Sequence, residues 1–447
     1  MRGWSTSLPV LALGALVAAG VAAGSVPANA QSANAPSGVT VKSHTSKDQI
    51  LNLRQVAFEG GKTLDLSVGI GSGAFRAKGD PANLFYTISD RGPNFTCGDA
   101  EDIIGIKGDK FCGGIKGGRI YAVPEYNPSI YRIQVLDNGT FRVLDAISLK
   151  DSKGNPVDGL LNPLTVASTE QPLDALGRKL ERNPSAVDAE GIVRLSDGTF
   201  WIGDENGPSM IHAAADGRIL TRHVPAGTEK DYAGAGYEIK GTLPALLAKR
   251  ALNRGIESMA ISDDEKFLYF IMQNPLANPD NDAYAMAGNT RLFKIERETG
   301  KVAGEYLYVM EPMAAYKGEE KKKQSTVRIS ELMHLAGDTL IVLERTEQTT
   351  KLFRIDLSAA TDLSAAGKWD DAATLPSLEQ IDPAKEGLKP APKTLVLDSA
   401  EHKEMPVKIE GMALFGNGDL MLINDDDFGI DGKRTAVMRI TEVPLGQ

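Results

Sequence analysis

Glu190-Gly-Ile-Val-Arg-Leu-Ser-Asp-Gly-Thr-Phe-Trp-Ile-Gly-Asp204-Glu205 is the stretch whose reading decides the fold. Two apolar runs flank Asp197-Gly198, a dipeptide that favours a tight hairpin because both positions tolerate positive φ. Folding the segment about position 197 sets Glu190 opposite Asp204. The acid entering the first strand and the acid leaving the second then share one edge of the sheet.

The same grammar recurs. Glu257 opens a strand that turns at Asp263-Asp264 and returns to Gln273-Asn274; Glu331 opens one that turns at Gly337-Asp338 and returns to Glu344-Arg345. Glu410 leads through Asn417-Gly418 to Asn424-Asp425, and an earlier copy runs from Ser72 through Asp80-Pro81 to Ser89-Asp90-Arg91. Segments such as Ser129–Val135, Arg291–Ile295 and Lys351–Leu357 read as outer strands that follow these hairpins. Units too thin to bury their own faces bury them against each other, and radial closure into a β-propeller is the usual all-β answer. Copies begin at 72, 190, 257, 331 and 410. The long interval between the first two has room for a further degenerate blade or a large insertion; six blades are expected, with five or seven as the alternatives.

Composition agrees with an exported all-β protein. The 46 glycines supply turns for many short strands. A net charge of −10, with no cationic stripe, argues against nucleic acid as a partner. Residues 1–30 read as a signal peptide: Arg2, an apolar run from Leu8 to Ala23, then small residues at Ala28 and Ala30 for cleavage. Residues 31–59 read as a lead-in segment. A periplasmic or secreted location follows, with no membrane association after cleavage. In such a compartment Cys97 and Cys112, fifteen positions apart, read as a disulfide.

In a propeller the hairpin ends meet at the mouth of the central channel. Glu190, Asp204, Glu257, Glu331, Glu410, Asn424 and Asp425 are therefore the candidate metal ligands. Crowded carboxylates raise one another's pKa unless a cation offsets them, and a hard divalent ion, Ca²⁺ first, suits oxygen ligands. Asp90 and Glu205 are the candidates for positioning water. Arg91, Arg345 and Asn274 are the candidates for binding substrate, a guanidinium fork matching two anionic oxygens. The sequence contains neither a G-x-S-x-G elbow nor an H-E-x-x-H pair, and its five histidines are scattered.

Ser89-Asp-Arg-Gly-Pro-Asn94, Asp188-Ala-Glu-Gly-Ile192 with Phe200-Trp-Ile-Gly-Asp-Glu-Asn-Gly-Pro208, Asn253-Arg-Gly-Ile-Glu-Ser-Met-Ala-Ile-Ser262 and Met272-Gln-Asn-Pro275 together resemble the exported bacterial phytase-like family, described as having esterase-like activity of phytase. The resemblance makes residues 60–447 a phytase-like β-propeller domain and implies hydrolysis of phosphate or other esters. It assigns no catalytic residues. A metal-dependent hydrolase of small phosphate esters is the first functional expectation. A single-metal lactonase or carboxylic-ester hydrolase is the second, and a non-catalytic binding propeller the third.

Overall fold

The computed structural model describes residues 38–446 apart from 166, 321 and 366; the expected signal peptide lies outside the described residues. Five sheets of four or five strands carry the chain. Blade one comprises Gly73–Phe75, Leu84–Ile88, Ser129–Val135 and Phe141–Ser148. Blade two comprises Ala189–Arg194, Phe200–Asp204, Ser209–Ala213, Ile219–Pro225 and Glu238–Leu243. Blade three is Ala260–Ile261, Phe267–Ile271, Asn289–Glu296 and Val302–Val309. Blade four is Arg328–Ala336, Thr339–Arg345, Thr350–Asp356 and Lys393–Asp398. Blade five runs Ile409–Leu414, Leu420–Asn424 and Val437–Thr441, and Thr40–His44 completes it from the other end of the chain.

The first strand of each blade lies innermost, and these five strands contact one another in order, the fifth meeting the first. The propeller therefore closes with five blades, not six. The long interval before Glu190 holds an excursion from blade one instead. Its strands Asn94–Thr96, Gly118–Tyr121 and Gln171–Leu173 make a separate three-stranded sheet. The Cys97–Cys112 disulfide closes that excursion around two short helices, as the spacing predicts. Residues 31–59 are not a mere lead-in. Thr40–His44 pairs antiparallel with Val437–Thr441 and forms the outermost strand of that blade, joining segments far apart in sequence in one sheet.

The Glu-Gly start of the inner strands has a steric cause. A Cβ at Gly191 would lie 2.6 Å from the carbonyl oxygen of Glu257, and one at Gly73 would lie 2.8 Å from that of Glu190. Backbone meets backbone around the axis, so only the smallest residue fits there. Gly191 N donates to the Glu257 carbonyl at 2.7 Å across this seam.

Trp201 of blade two stacks on His212, and His223 lies tilted against the same indole. Burial, and then Lys240, lowers the His223 pKa to about 4 from 6.5. The unfolded chain thus binds this proton more tightly, so the stability this group contributes is complete above pH 6.5 and is lost as pH falls towards 4. Urea unfolding should show His223→Gln losing about 1–2 kcal/mol less than the parent between pH 7 and pH 5. Equal losses in both proteins would mean that the imidazole titrates normally in the fold.

Candidate active site

Each inner strand begins at the channel end where its partner strand finishes, so strand-start acids and strand-end polar residues gather at one mouth. A β-bulge aims the acids. Ala189 pairs with Asp204 and Ile192 with Ile202, which leaves Glu190 as an inserted residue; Glu410 sits in the same way between the Ile409–Asn424 and Gly411–Ile423 pairs. Bulges re-aim a side chain without ending the strand. The expected Glu190–Asp204 pairing is therefore off by one residue.

Two triads result, the second fully buried and the first buried but for the half-buried Asp90. One carboxylate oxygen each from Asp90, Asp188 and Glu190 lie within 4.8 Å of one another, and so do oxygens from Glu190, Glu257 and Glu410. Glu190 belongs to both. Burial first, then Asp188 and Asp90, pushes the Glu190 pKa well above the usual carboxylate range. Asp188 is pushed up to about 8 by burial, with Glu205 and Asp204 adding to it against Arg91. Asp90 is raised well above its ordinary value by burial, Asp425 and Asp188.

The two triads differ in what already neutralises them. In the second, the Arg345 guanidinium joins Glu410 and lies 3.7 Å from Glu257, while Ser330 Oγ donates to Glu257 at 3.0 Å. In the first, Arg91 lies 3.1 Å from Asp188, yet both Asp188 oxygens are buried with no hydrogen-bond partner. No lysine or arginine pairs with Glu190 among the described residues. A donor set of carboxylate oxygens, with no His or Cys, suits Ca²⁺, Mg²⁺ or Mn²⁺. Asp90, Asp188 and Glu190 are thus the residues fitted to hold such an ion.

Several expected ligands are occupied elsewhere. Asp204 is fully buried and accepts from Arg222 at 2.8 Å, Asp188 N at 3.0 Å and Gly207 N at 2.8 Å. Glu331 accepts backbone N–H groups of Ala74 and Leu332, both at 3.0 Å, stapling blade four to blade one. The bulge position in blade four is Ser330, between the Ile329–Glu344 and Glu331–Leu343 pairs, so Glu331 sits one residue further into the channel. Asn424 accepts from Ala436 N at 2.7 Å and donates to its own neighbour's carbonyl. Asp425 stands at the mouth paired with Lys408 at 3.1 Å.

The candidate substrate groups also sort themselves. Arg91 and Arg345 are 4% and 2% exposed and ion-paired with carboxylates, although Arg91 Nε and Nη1 are buried without a hydrogen-bond partner. Neither has its guanidinium turned to solvent. Asn274 donates to the Val327 carbonyl at 2.6 Å, leaving its Oδ1 buried without a partner. Glu205 receives Asn253 and lies 3.3 Å from Arg254. Three residues escape the sequence reading: Asp188, Arg254 and Arg328. Asp188 stands two positions before Glu190 and opens the quoted Asp188-Ala-Glu-Gly-Ile192 motif, which were its signals in the sequence. At the opposite end of the channel, Phe75, Arg194, Ser196, Asp263, Met333 and Leu414 help line a cavity of about 800 Å³. It holds none of the carboxylate triads.

Fold and site together define an all-β propeller with a carboxylate-lined channel mouth. Residues 69–428 match the model of the phytase-like family, described as "esterase-like activity of phytase", and the chain belongs to that family. A protein of Arthroderma benhamiae described as an uncharacterized secreted protein is 24% identical over 247 residues, which is 49% of this chain and 47% of that one. The chain thus spans about half the length of this curated relative. Among solved structures, a luciferin-regenerating enzyme aligns at TM-score 0.34 and 10% identity, over 91% of this chain and 96% of its own. The PQQ-bound aldose sugar dehydrogenase of Streptomyces coelicolor aligns at 0.31 and 10%, over 91% and 99%. The WD40 repeats of RRP9 align at 0.34 and 11%, over 90% and 99%. Likenesses this remote bear on neither ligand nor activity. No helix among the described residues is long and apolar enough to cross a membrane.

Proposed function

We propose that this protein is an exported metal-dependent hydrolase of phosphate esters, its site at the carboxylate mouth of the propeller. One hard divalent cation, Ca²⁺ first, is held by Asp90, Asp188 and Glu190. The carrying observation is the convergence of two buried carboxylates and the half-buried Asp90, with both oxygens of Asp188 lacking a hydrogen-bond partner. The family's description as esterase-like supports the reaction class, and the secreted description of the relative supports export.

A bound ion of this kind supplies a polarised ester oxygen and a water of lowered pKa. The chain's own residues do the rest. Arg91 holds Asp188 in place beside the ion site. Arg345 neutralises Glu410 and Glu257, so that the second triad does not compete for the ion. Glu205, oriented by Asn253 and Arg254, takes the proton of the attacking water. A carboxylic ester or lactone is the second reading, favoured by the same esterase-like description.

Phosphate release from a panel of phosphomonoesters, phosphodiesters and phytate, measured after chelation and after return of Ca²⁺, tests the first reading. Activity should vanish with chelator, return with Ca²⁺ and be inhibited by inorganic phosphate. Turnover of lactones without inhibition by phosphate would transfer the assignment to the second reading. No turnover of either class by the folded, ion-loaded protein would leave a binding propeller.

A further inference from the structure

The cavity at the other end of the channel takes no part in the carboxylate site. The hairpins turn there, so Asp80, Ser196, Asp263 and Asp264 stand at its rim, while the strand-start acids lie at the opposite mouth. Its volume of about 800 Å³ falls within the roughly 300–1,000 Å³ of cavities that enclose small organic ligands. The floor is apolar: Phe75 and Leu414 line it with Met259, Met333 and Met412, one methionine from each of blades three, four and five. Methionine is unbranched and polarisable, so such a floor adapts to the shape of what it holds. Cross-blade bonds fix the walls. Arg76 donates from Nε to the Leu414 carbonyl at 2.8 Å, tying blade one to blade five. Ser196 donates from N and Oγ to the two oxygens of Glu265 at 2.7 and 2.9 Å, tying blade two to blade three.

The acids and the cations of these walls are not equally matched. Glu265 is capped by Ser196, Asp264 accepts from Ser262 at 2.7 Å and pairs with Lys266 at 3.0 Å, and Asp80 has its Oδ2 buried. That leaves Asp263, exposed at the outer rim. The three cations, Arg76, Lys78 and Arg194, pair with no carboxylate among the described residues. Arg76 spends Nε and Nη1 on the carbonyls of Leu414 and Asp80. Arg194 makes no hydrogen bond among the described residues and rests its guanidinium 5.1 Å from the centre of the Tyr86 ring. It is half-buried, so its charge has lost part of its water with no anion in exchange.

We infer that this cavity binds a small organic anion with an apolar body, its head group on Arg194 and its body on the floor of Phe75 and the methionines. A guanidinium fork offers two N–H groups to the two oxygens of a carboxylate. The protein's own acids in the cavity are held by other donors, turned inward or out at the rim, so the pairing falls to a ligand. The carboxylate mouth would repel the same molecule, which makes this a second site with its own chemistry and independent of the proposed hydrolysis.

Decanoate is the probe, titrated calorimetrically into the purified protein below the concentration at which it forms micelles. One molecule should bind per chain. Octanoate should bind about tenfold more weakly, because two fewer methylenes leave water. Arg194→Gln should weaken decanoate about tenfold or more, the scale of a lost charged hydrogen bond. Met333→Asp puts a like charge on the floor and should abolish binding. Glu190→Gln, at the other mouth, and Arg218→Gln, paired with Asp216 on a turn between outer strands of blade two, should both bind decanoate as the parent does. Should Arg194→Gln fail to fold, Arg194→Lys keeps the charge without the fork and should give a smaller loss, with Met333→Asp as the second reading. No decanoate binding by the folded parent overturns the site, as does undiminished binding in the folded Arg194 and Met333 variants. Decyltrimethylammonium binding as tightly as decanoate overturns the preference for an anion, and octanoate binding as tightly as decanoate overturns the apolar floor. Loss of binding in Glu190→Gln with none in Arg194→Gln would put the ligand at the wrong end of the channel and overturn the inference as well.

Discussion

Glu190→Gln should abolish most hydrolysis while making the ion-free protein more stable. Glu190 is the residue common to both triads, and glutamine keeps its shape but not its charge. Losing a ligand should weaken the ion by more than about a hundredfold, since even partners of ligands cost 10–100-fold when removed. Turnover at limiting Ca²⁺ should fall in proportion. In chelator the sign reverses, because one fewer charge now faces Asp188, Asp90, Glu205 and Glu257. The pH dependence follows. A carboxyl whose folded pKa is raised stabilises the fold fully below its unfolded value near 4.5 and progressively loses that stability as pH rises. The parent, without ion, should therefore melt lower as pH climbs from 5 to 8, and the variant less so. A merely structural Glu190 predicts the opposite: Glu190→Gln would melt lower in chelator, with the Ca²⁺ shift intact. Scanning calorimetry in chelator and in Ca²⁺ decides between them.

The contrast between what the sequence revealed and what it concealed is local geometry. Alternating strands about Asp197-Gly198, repeated five times, carry the propeller, since a period of two and a turn dipeptide are short-range signals. Blade number was concealed because the Asn94–Leu173 excursion uses the same strand vocabulary as a blade, and only contacts with the ring tell them apart. The fifth blade's outer strand was concealed for a different reason: Thr40–His44 meets Val437–Thr441 across nearly the whole chain. In the site, Glu190, Glu257 and Glu410 were legible from recurrence. Asp204 and Glu331 shared that pattern but not its destination, because a one-residue bulge decides which side chain enters the channel and which meets Arg222 or backbone N–H groups. Such a bulge leaves no mark on composition or period. Arg254 and Arg328 each stand three positions before a strand-opening glutamate, Glu257 and Glu331, and Asp188 stands two before Glu190, so their signal lay just outside the strands that carried the repeat.

Arg345→Met should destabilise the ion-free protein by about 3–5 kcal/mol, the cost of stranding buried partners of a lost charge. The guanidinium bonds Glu410, approaches Glu257 and donates from Nε to Ser330 Oγ at 2.8 Å, so its removal releases all three at once. Burial already raises the Glu410 pKa against the lowering effect of Arg345. Without the arginine both glutamates would hold protons still more tightly in the fold. Stability carried by raised carboxyls is present at low pH and lost as pH rises, so the deficit in urea midpoint should be larger at pH 8 than at pH 6. Millimolar Ca²⁺ should then recover part of the loss, because Glu190, Glu257 and Glu410 already hold oxygens within 4.8 Å of one another and would now lack their resident cation. The variant should accordingly bind more Ca²⁺ per chain than the parent. A deficit under about 1 kcal/mol would place the pair in the class of solvent-screened surface bridges. A full deficit without Ca²⁺ rescue would mean that the second triad takes only a guanidinium, its three oxygens set by Arg345 and Ser330 together.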